Sequence, residues 1–282
     1  MDATLRVGDV EILSLTDGTI EFATPLTDVY PEVSFASWEP YRQRYPEVFA
    51  APNAWRIHLG CYLVQSSGQT ILVDTGLGPE PNARFMGPTG TLLAEMKVAG
   101  ISPASVDLVF VTHSHADHIG WNLTPDGAPV FPNARYVMSR KEWDWVPGRI
   151  AAGAPGMAVA AQQMIPLGGL DRVDLLDGDS DLTNDVRAIE TPGHTPGHMS
   201  LLVSSQGEKA CITGDAIVHP AQLSEPDWHV RMDFDGDAAA ATRSRLIDLI
   251  ESEGMRIVSC HFPRPGYGNI IQLEGRRYWQ AR

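Results

Sequence analysis

Residues 111–120, "VTHSHADHIG", place three histidines and an aspartate within six positions, His113, His115, Asp117 and His118. The cluster follows the apolar run "VDLVFV", which reads as a buried strand. Neutral imidazoles and a carboxylate are the donors that zinc and similar borderline cations take. A polar surface turn seldom concentrates them this way, so the cluster points to metal.

Three more strand ends carry the same residue types. "TPGHTPGH" sets His194 after a β-run, "CITGDAIVH" sets Asp215 after another, and "RIVSCHF" leads a third into His261. An acidic side chain directly after an apolar strand is poorly solvated without a cation beside it. Each of the three alone would more often be a structural residue, and together with the first cluster they read as one site. Seven candidate ligands are too many for one tetrahedral ion and suit two.

The rest of the chain reads as strands with helices between them. Residues 10–16 and 20–22 are expected strands around an Asp17-Gly18 turn. Residues 61–67 and 70–76 form a hairpin split at Gly68. A helix at 91–99 ends at Gly100. After a strand at 134–139, Ser139 and Glu142 read as a capping box for the next helix. Residues 147–169, rich in Gly, Ala and Pro, read as a loop. Strands follow at 173–177, 186–190, 199–203 and 210–213, then a helix at 237–253 capped by Asp235 or Asp237 and stopped by Gly254. Residues 31–55 are irregular and aromatic, with Trp38, Tyr41 and Tyr45 at helical spacing. The later half repeats the earlier one, which predicts two αβ halves packed face to face with a site along a shared edge. No linker divides them, so residues 1–282 read as one domain.

Charge and composition narrow the partners. The formal net charge of −14 repels phosphate backbones, so no nucleic-acid partner is expected. No apolar stretch approaches the roughly 20 residues of a membrane helix, and the alternating start "MDATLRVGDVEILSL" has no basic leader followed by an apolar run. Cys61, Cys211 and Cys260 are odd in number and far apart, which suits buried free thiols. The expected location is the cytoplasm. Alternation along the strand "RIVSC" would turn Cys260 away from the metals.

The order H-x-H-x-D-H, then a lone His, an Asp and a last His, resembles the metallo-β-lactamase superfamily. "ILVDTG" at 71–76, "THSHADH" at 112–118, "TPGHTPGH" at 191–198, "TGD" at 213–215 and His261 extend the likeness along nearly the whole chain. The resemblance implies an α/β fold, an αββα sandwich of two mixed sheets flanked by helices. It implies that His113, His115 and His194 hold one divalent ion, that Asp117, His118 and His261 hold a second, and that Asp215 bridges them, with zinc the expected metal. Asp74 would orient a ligand histidine, or else cap a turn.

The same likeness implies a hydrolase in which two cations lower the pKa of a shared water towards 7. The bridging hydroxide would attack, and Asp117 would pass the proton to the leaving group. The aspartate at the bridging place argues against β-lactams as substrates. "TPGHTPGHMSLLVSSQGEKACITGDAIVHPAQ" at 191–222 and "HFPRPGYGNIIQLEGRRYW" at 261–279 resemble the lactonase and methyl parathion hydrolase branch. The expected substrate is therefore a small apolar or aromatic lactone or activated aryl ester. The alternatives are a phosphotriesterase, or a thioesterase of the glyoxalase II type. A homodimer is the expected assembly.

Where homoserine lactonases of this kind carry a substrate-binding tyrosine, three residues past the bridging aspartate, this chain has Val218. His219 is then the candidate to supply the missing hydrogen bond, whereas His198, His58 and His229 read as packing residues. Phe35, Trp38, Tyr41, Trp121 and Trp143 are the candidate pocket aromatics, and residues 31–55 the candidate rim of the substrate site.

Overall fold

A computed structural model describes residues 3–79 and 90–282 of the chain. Met1 and Asp2, which open the alternating N-terminal run, lie outside the described residues.

The strands are β1 Thr4–Val7, β2 Val10–Glu21, β3 Phe49–Ala51, β4 Ala54–Ser66, β5 Gln69–Val73, β6 Leu108–Phe110, β7 Arg135–Ser139, β8 Val173–Leu176, β9 Ser180–Asp181, β10 Val186–Glu190, β11 Met199–Ser205, β12 Glu208–Ile212, β13 Arg256–Val258, β14 Tyr267–Leu273 and β15 Arg276–Ala281. The helices are α1 Leu26–Val29, α2 Glu39–Arg44, α3 Leu92–Val98, α4 Ala116–Ile119, α5 Arg140–Ala151, α6 Met157–Gln163 and α7 Gly236–Ser252. One sheet runs in the order β1-β2-β4-β5-β6-β7-β8, with β3 paired to β4, and the other β15-β14-β13-β12-β11-β10-β9. Both are mixed: β5 to β8 pair in parallel, as do β12 and β13, while the other pairings are antiparallel.

Three apolar layers explain this architecture. Between the sheets, Val7, Ile12, Val64, Ile71 and Phe110 from the first meet Val186, Leu201, Ala210 and Val258 from the second. On the outer face of the first sheet, Leu63, Leu72 and Val109 pack against Met96 of α3, Val146 of α5 and Ala160 of α6. On the outer face of the second, Cys211 and Ile257 pack against Leu246, Ile247 and Ile250 of α7. The order of layers is helix, sheet, sheet, helix, the expected αββα sandwich.

Local signals are overruled where packing opposes them. Asp17-Gly18 is no hairpin turn, because β2 runs unbroken to Glu21 and pairs with β4 from Glu11↔Gln65 to Glu21↔Arg56, with a register shift between Thr16 and Gly18. A long ladder outweighs one turn-forming dipeptide, and Gly18 at φ 127° takes up the bulge. The bulge turns Asp17 inward, where its carboxylate accepts from the amides of Leu77 (2.6 Å) and Leu92 (2.7 Å) and from Trp121 Nε1 (2.8 Å). Trp121 is thereby a structural partner rather than a pocket wall.

Residues 147–169 are not a loop. α5 continues through Pro147 to Ala151, α6 follows, and a 3-10 turn spans Ile165–Leu170. Met164 and Leu167 are buried on the sheet, and that tertiary burial offsets the weak helical propensity of the segment. Ser139 does cap α5 by accepting from the Lys141 amide at 3.1 Å, but Glu142 does not complete the capping box.

Residues 31–55 carry a buried aromatic face, and of the segment only Trp55 reaches the substrate cavity described below. Trp38, Tyr41 and Tyr45 do share a buried face, packed with Tyr30, Trp55 and Trp279 against the second sheet. Tyr45 Oη accepts from the Trp279 amide at 2.8 Å, which ties the segment to β15.

Candidate metal centre and substrate pocket

The parallel strands set the site. β5 ends before Asp74, β6 before Thr112 and His113, β12 before Asp215 and β13 before His261. His115 is the N-cap of α4, a single turn that carries Asp117 and His118. Gly193 at φ 134° shapes the loop after β10 that brings in His194.

The carboxylate of Asp215 stands at the centre. Its Oδ2 faces His194 Nε2 at 3.2 Å and His113 Nε2 at 3.7 Å. Its Oδ1 faces His261 Nε2 at 3.2 Å and His118 Nε2 at 3.4 Å. Asp117 Oδ2 lies 3.6 Å from His261 Nε2 and 3.8 Å from His118 Nε2. His115 Nδ1 lies 2.9 Å from His194 Nε2. The seven residues singled out in the sequence thus meet around one carboxylate, in two groups that share it. Ligand atoms of His113, His115, His194 and Asp215 lie within 4.8 Å of one another, as do those of His118, Asp215, Cys260 and His261.

Outer partners fix the rings. His118 Nδ1 donates to Asp74 Oδ2 (2.8 Å), His194 Nδ1 to Asp233 Oδ1 (2.7 Å) and His261 Nδ1 to the His58 carbonyl (3.0 Å). Each bond leaves Nε2 facing the centre, the arrangement that orients histidine ligands. Asp74 also accepts from the Thr112 amide and hydroxyl, each at 2.8 Å, so it orients His118 and anchors the loop in one act.

Acids and imidazoles compete for protons in this buried cluster. Burial alone would raise the Asp215 carboxyl, but His261, His118 and His113 outweigh it and hold the group well below its ordinary value. Burial opposes charge on His118 too, yet Asp215, Asp74 and Asp117 raise it well above the usual imidazole value. His194 rises to about 9 because the bonds from Asp215 and Asp233 outweigh its burial. His113 is held well below, chiefly by burial and by His118. The Nε2 atoms of His113 and His118 are buried without a hydrogen-bond partner. Buried polar atoms are costly in that state, and a cation against Asp215 satisfies both. The residues present therefore fit a divalent-metal centre.

A cavity of about 280 Å³ opens on this cluster, with His115, Asp117, His194, Asp215 and His261 on its floor. Its apolar walls include Phe22, Trp55, Met157, Val218, Val230 and Met232. Of the aromatics expected there, Phe35, Trp38, Tyr41, Trp121 and Trp143, none lines it. Trp38 and Tyr41 are core residues, Phe35 is exposed and stacks under Arg42, and Trp143 packs against the first sheet.

His219 is also displaced from its expected role. It is the N-cap of the 3-10 turn Pro220–Leu223, and its Nδ1 accepts from the Ala221 amide at 3.0 Å. Trp38, Phe49 and Trp55 surround its ring at 5.0, 5.7 and 5.7 Å between centroids. It sits behind the pocket wall, and burial lowers its pKa to about 3. His198 is structural, as expected: its Nε2 accepts from the Asp215 amide at 2.9 Å and so holds the turn that carries that residue. His58 is buried and bonded to the Phe262 carbonyl.

Cys260 differs from expectation as well. β13 stops at Val258, so the alternation that would have turned the side chain away does not reach it, and Sγ lies 3.2 Å from Asp215 Oδ1. Two further residues support the site in ways the sequence did not signal. Asp233 sits among the acids of "RMDFDGD" beside the α7 cap Asp235. Glu142, fully buried, accepts from the Ser114 amide (2.9 Å) and hydroxyl (2.5 Å) and from the Gly197 amide (3.2 Å). It ties the loop of His113 and His115 to the loop of His194.

The chain is similar to known proteins over most of its length. Residues 61–261 match the family model of the metallo-beta-lactamase superfamily. An N-acyl homoserine lactonase of Bacillus sp. is 29% identical over 214 residues, 68% of this chain and 76% of that protein. The N-acyl homoserine lactonase AttM of Azorhizobium caulinodans is 33% identical over 184 residues, 61% of this chain and 64% of that protein. Among solved structures, AidC, a dizinc quorum-quenching lactonase in complex with its product, superposes with a TM-score of 0.85 at 27% identity, covering 100% of this chain and 99% of that one. The hydrolase AbOPH shares the fold, with a TM-score of 0.84 at 24% identity over 98% of this chain and 95% of that one.

Proposed function

The chain belongs to the metallo-β-lactamase superfamily of metal-dependent hydrolases, and from that premise we propose that it is a lactonase acting on lactones with an apolar acyl or aryl group. One observation carries the reading: an apolar cavity of about 280 Å³ ends on the Asp215 cluster. The lactonases among its relatives support the same class. We propose residues 1–282 as one catalytic domain, since a single apolar layer joins its two sheets.

His113, His115 and His194 would hold one divalent ion, His118, His261 and Asp117 a second, and Asp215 both, with zinc the proposed metal. When bound, the pair supplies an activated water and an electrophile for the acyl oxygen. The chain's own residues do the rest. Phe22, Trp55, Met157 and Met232 take the apolar group and exclude water. Asp117 lines both the cavity and the cluster, so its carboxylate is placed to accept the proton of the attacking water and return it to the leaving oxygen. Val218 gives its part of the wall no hydrogen-bond donor, which favours activated aryl lactones, and esters with good leaving groups, over short-chain homoserine lactones. No Lys or Arg stands among the described cavity residues, which disfavours a glutathione thioester with its carboxylates.

The test is acid release by the zinc-loaded protein from dihydrocoumarin, from hexanoyl- and decanoyl-homoserine lactones and from a nitrophenyl phosphotriester. Lactones should be opened fastest, dihydrocoumarin ahead of the hexanoyl substrate, with activity lost on chelation and restored by zinc. A metal-replete protein that leaves every lactone intact would refute the reading, and a faster phosphotriester would replace it.

A further inference from the structure

Cys260 lies outside the ligand set read from the sequence, yet the fold aims it at the same carboxylate. Its sulfur is 3.2 Å from Asp215 Oδ1, the oxygen that also faces His261 Nε2 at 3.2 Å and His118 Nε2 at 3.4 Å. The ligand atoms of these four side chains lie within 4.8 Å of one another, and all four residues are buried. His118 Nε2, aimed into the same space, has no hydrogen-bond partner. Bonds of about 2.0–2.3 Å to one tetrahedral ion put its donor atoms roughly 3.3–3.6 Å apart. The spacings around Asp215 Oδ1 are close to that pattern.

We propose that Cys260 is a sulfur ligand of the second cation position, with His118, His261 and Asp215, and gives that position a preference for thiophilic ions such as zinc and cadmium over manganese. The inference rests on the paired-cation reading above. A thiolate is the ligating form, so the thiol proton leaves to solvent as the cation enters, and the cation balances the sulfur's charge. Asp117 lines the cavity whereas Cys260 does not. The sulfur thus approaches the position from the protein side, and Asp117 stands on the substrate side. Soft sulfur beside imidazole selects against harder ions that share the same oxygen donors.

The experiment titrates metal-free full-length protein with cobalt(II) and follows its absorption. The wild type should take two equivalents and show a near-ultraviolet sulfur-to-cobalt charge-transfer band. Cys260→Ala and Cys260→Ser should keep the visible cobalt bands, lose the sulfur band and bind the second equivalent about 10–100-fold more weakly. Two cobalt ions in the wild type without the sulfur band would overturn the inference, leaving Cys260 as a plain donor to Asp215. So would full affinity in Cys260→Ser, whose hydroxyl can replace only that donor role. Fewer than two cobalt ions in the wild type would overturn the paired-cation reading itself and the inference with it.

Discussion

Glu142→Gln tests how the two halves of the first ligand group are held together. The native carboxylate serves the Ser114 amide and hydroxyl through Oε1 and the Gly197 amide through Oε2. A glutamine of the same shape keeps one oxygen, which can continue to serve Ser114. Its amide nitrogen then meets the Gly197 N–H, donor against donor. The Gly197 backbone is packed directly on Glu142, where a Cβ would lie 2.1 Å from the Glu142 nitrogen. One hydrogen bond to a carboxylate is lost, about 1.5–3 kcal/mol, and a buried N–H is left unmet, about 1–3 kcal/mol; the two overlap, so we expect roughly 2–4 kcal/mol in all. Against a total stability of about 5–15 kcal/mol that is a large share. Urea unfolding of the metal-free protein should read it directly. Because Ser114 stands between His113 and His115, and Gly197 three residues past His194, chelator competition should also show zinc affinity lowered by about 10–100-fold. Lys141→Ala, which removes an exposed partner of Glu190, is the control and should change stability by less than about 1 kcal/mol. A Glu142→Gln protein within about 0.5 kcal/mol of wild type, with unchanged zinc affinity, would refute the reasoning.

Three other outcomes follow from the site. Asp233→Asn should weaken zinc binding by about 10–100-fold, because the amide no longer holds the His194 Nδ1 proton as the carboxylate does, and chelator competition will read it. Asp117→Asn should lower kcat by about 10²–10⁴ in protein assayed with saturating zinc, since an amide cannot accept the proton; near wild-type turnover would remove that role. His219→Asn keeps an oxygen for the Ala221 amide but no titrating ring. The native ring has a folded pKa of about 3 against an ordinary 6.5, so the unfolded chain binds the extra proton between those values and stability falls as the pH drops below 6.5. The variant should lose up to about 1.4 kcal/mol per pH unit of that slope between pH 6 and 4, measured by urea unfolding. Its kcat/KM for lactones at pH 8 should stay within about twofold, whereas a tenfold fall would restore His219 to the substrate site.

The candidate ligands were legible because each follows an apolar strand, and strand ends are where an α/β sandwich gathers its functional groups. His113, His115, Asp117, His118, His194, Asp215 and His261 could be named without knowing a single distance. Their supports were not legible in the same way. Asp233 reaches His194 from 39 residues away in the chain, and nothing distinguishes it locally from the helix cap two residues later. Glu142 matched a capping box that competed with its true role across the fold. Cys260 was misdirected because the strand ends two residues before it, and boundaries of that precision are not written in periodicity. The aromatics failed for another reason. Spacing showed that Trp38, Tyr41 and Tyr45 share a face, but not whether that face meets solvent, substrate or core.

Trp55 belongs to two neighbourhoods at once. It lines the cavity, and behind it stand Tyr30 at 5.9 Å and His219 at 5.7 Å between ring centroids. The pocket wall on that side is the outer skin of the aromatic core. A change that makes room for a larger substrate there removes a core side chain, at about 3–5 kcal/mol for a large aromatic cut to alanine. Met157, at the start of α6, also lines the cavity and is a smaller, unbranched side chain that neighbours tolerate losing or reshaping. The two parts of the lining therefore differ in how freely they can drift. Substrate range in descendants of this chain should be rewritten through α6 and left largely unaltered at Trp55.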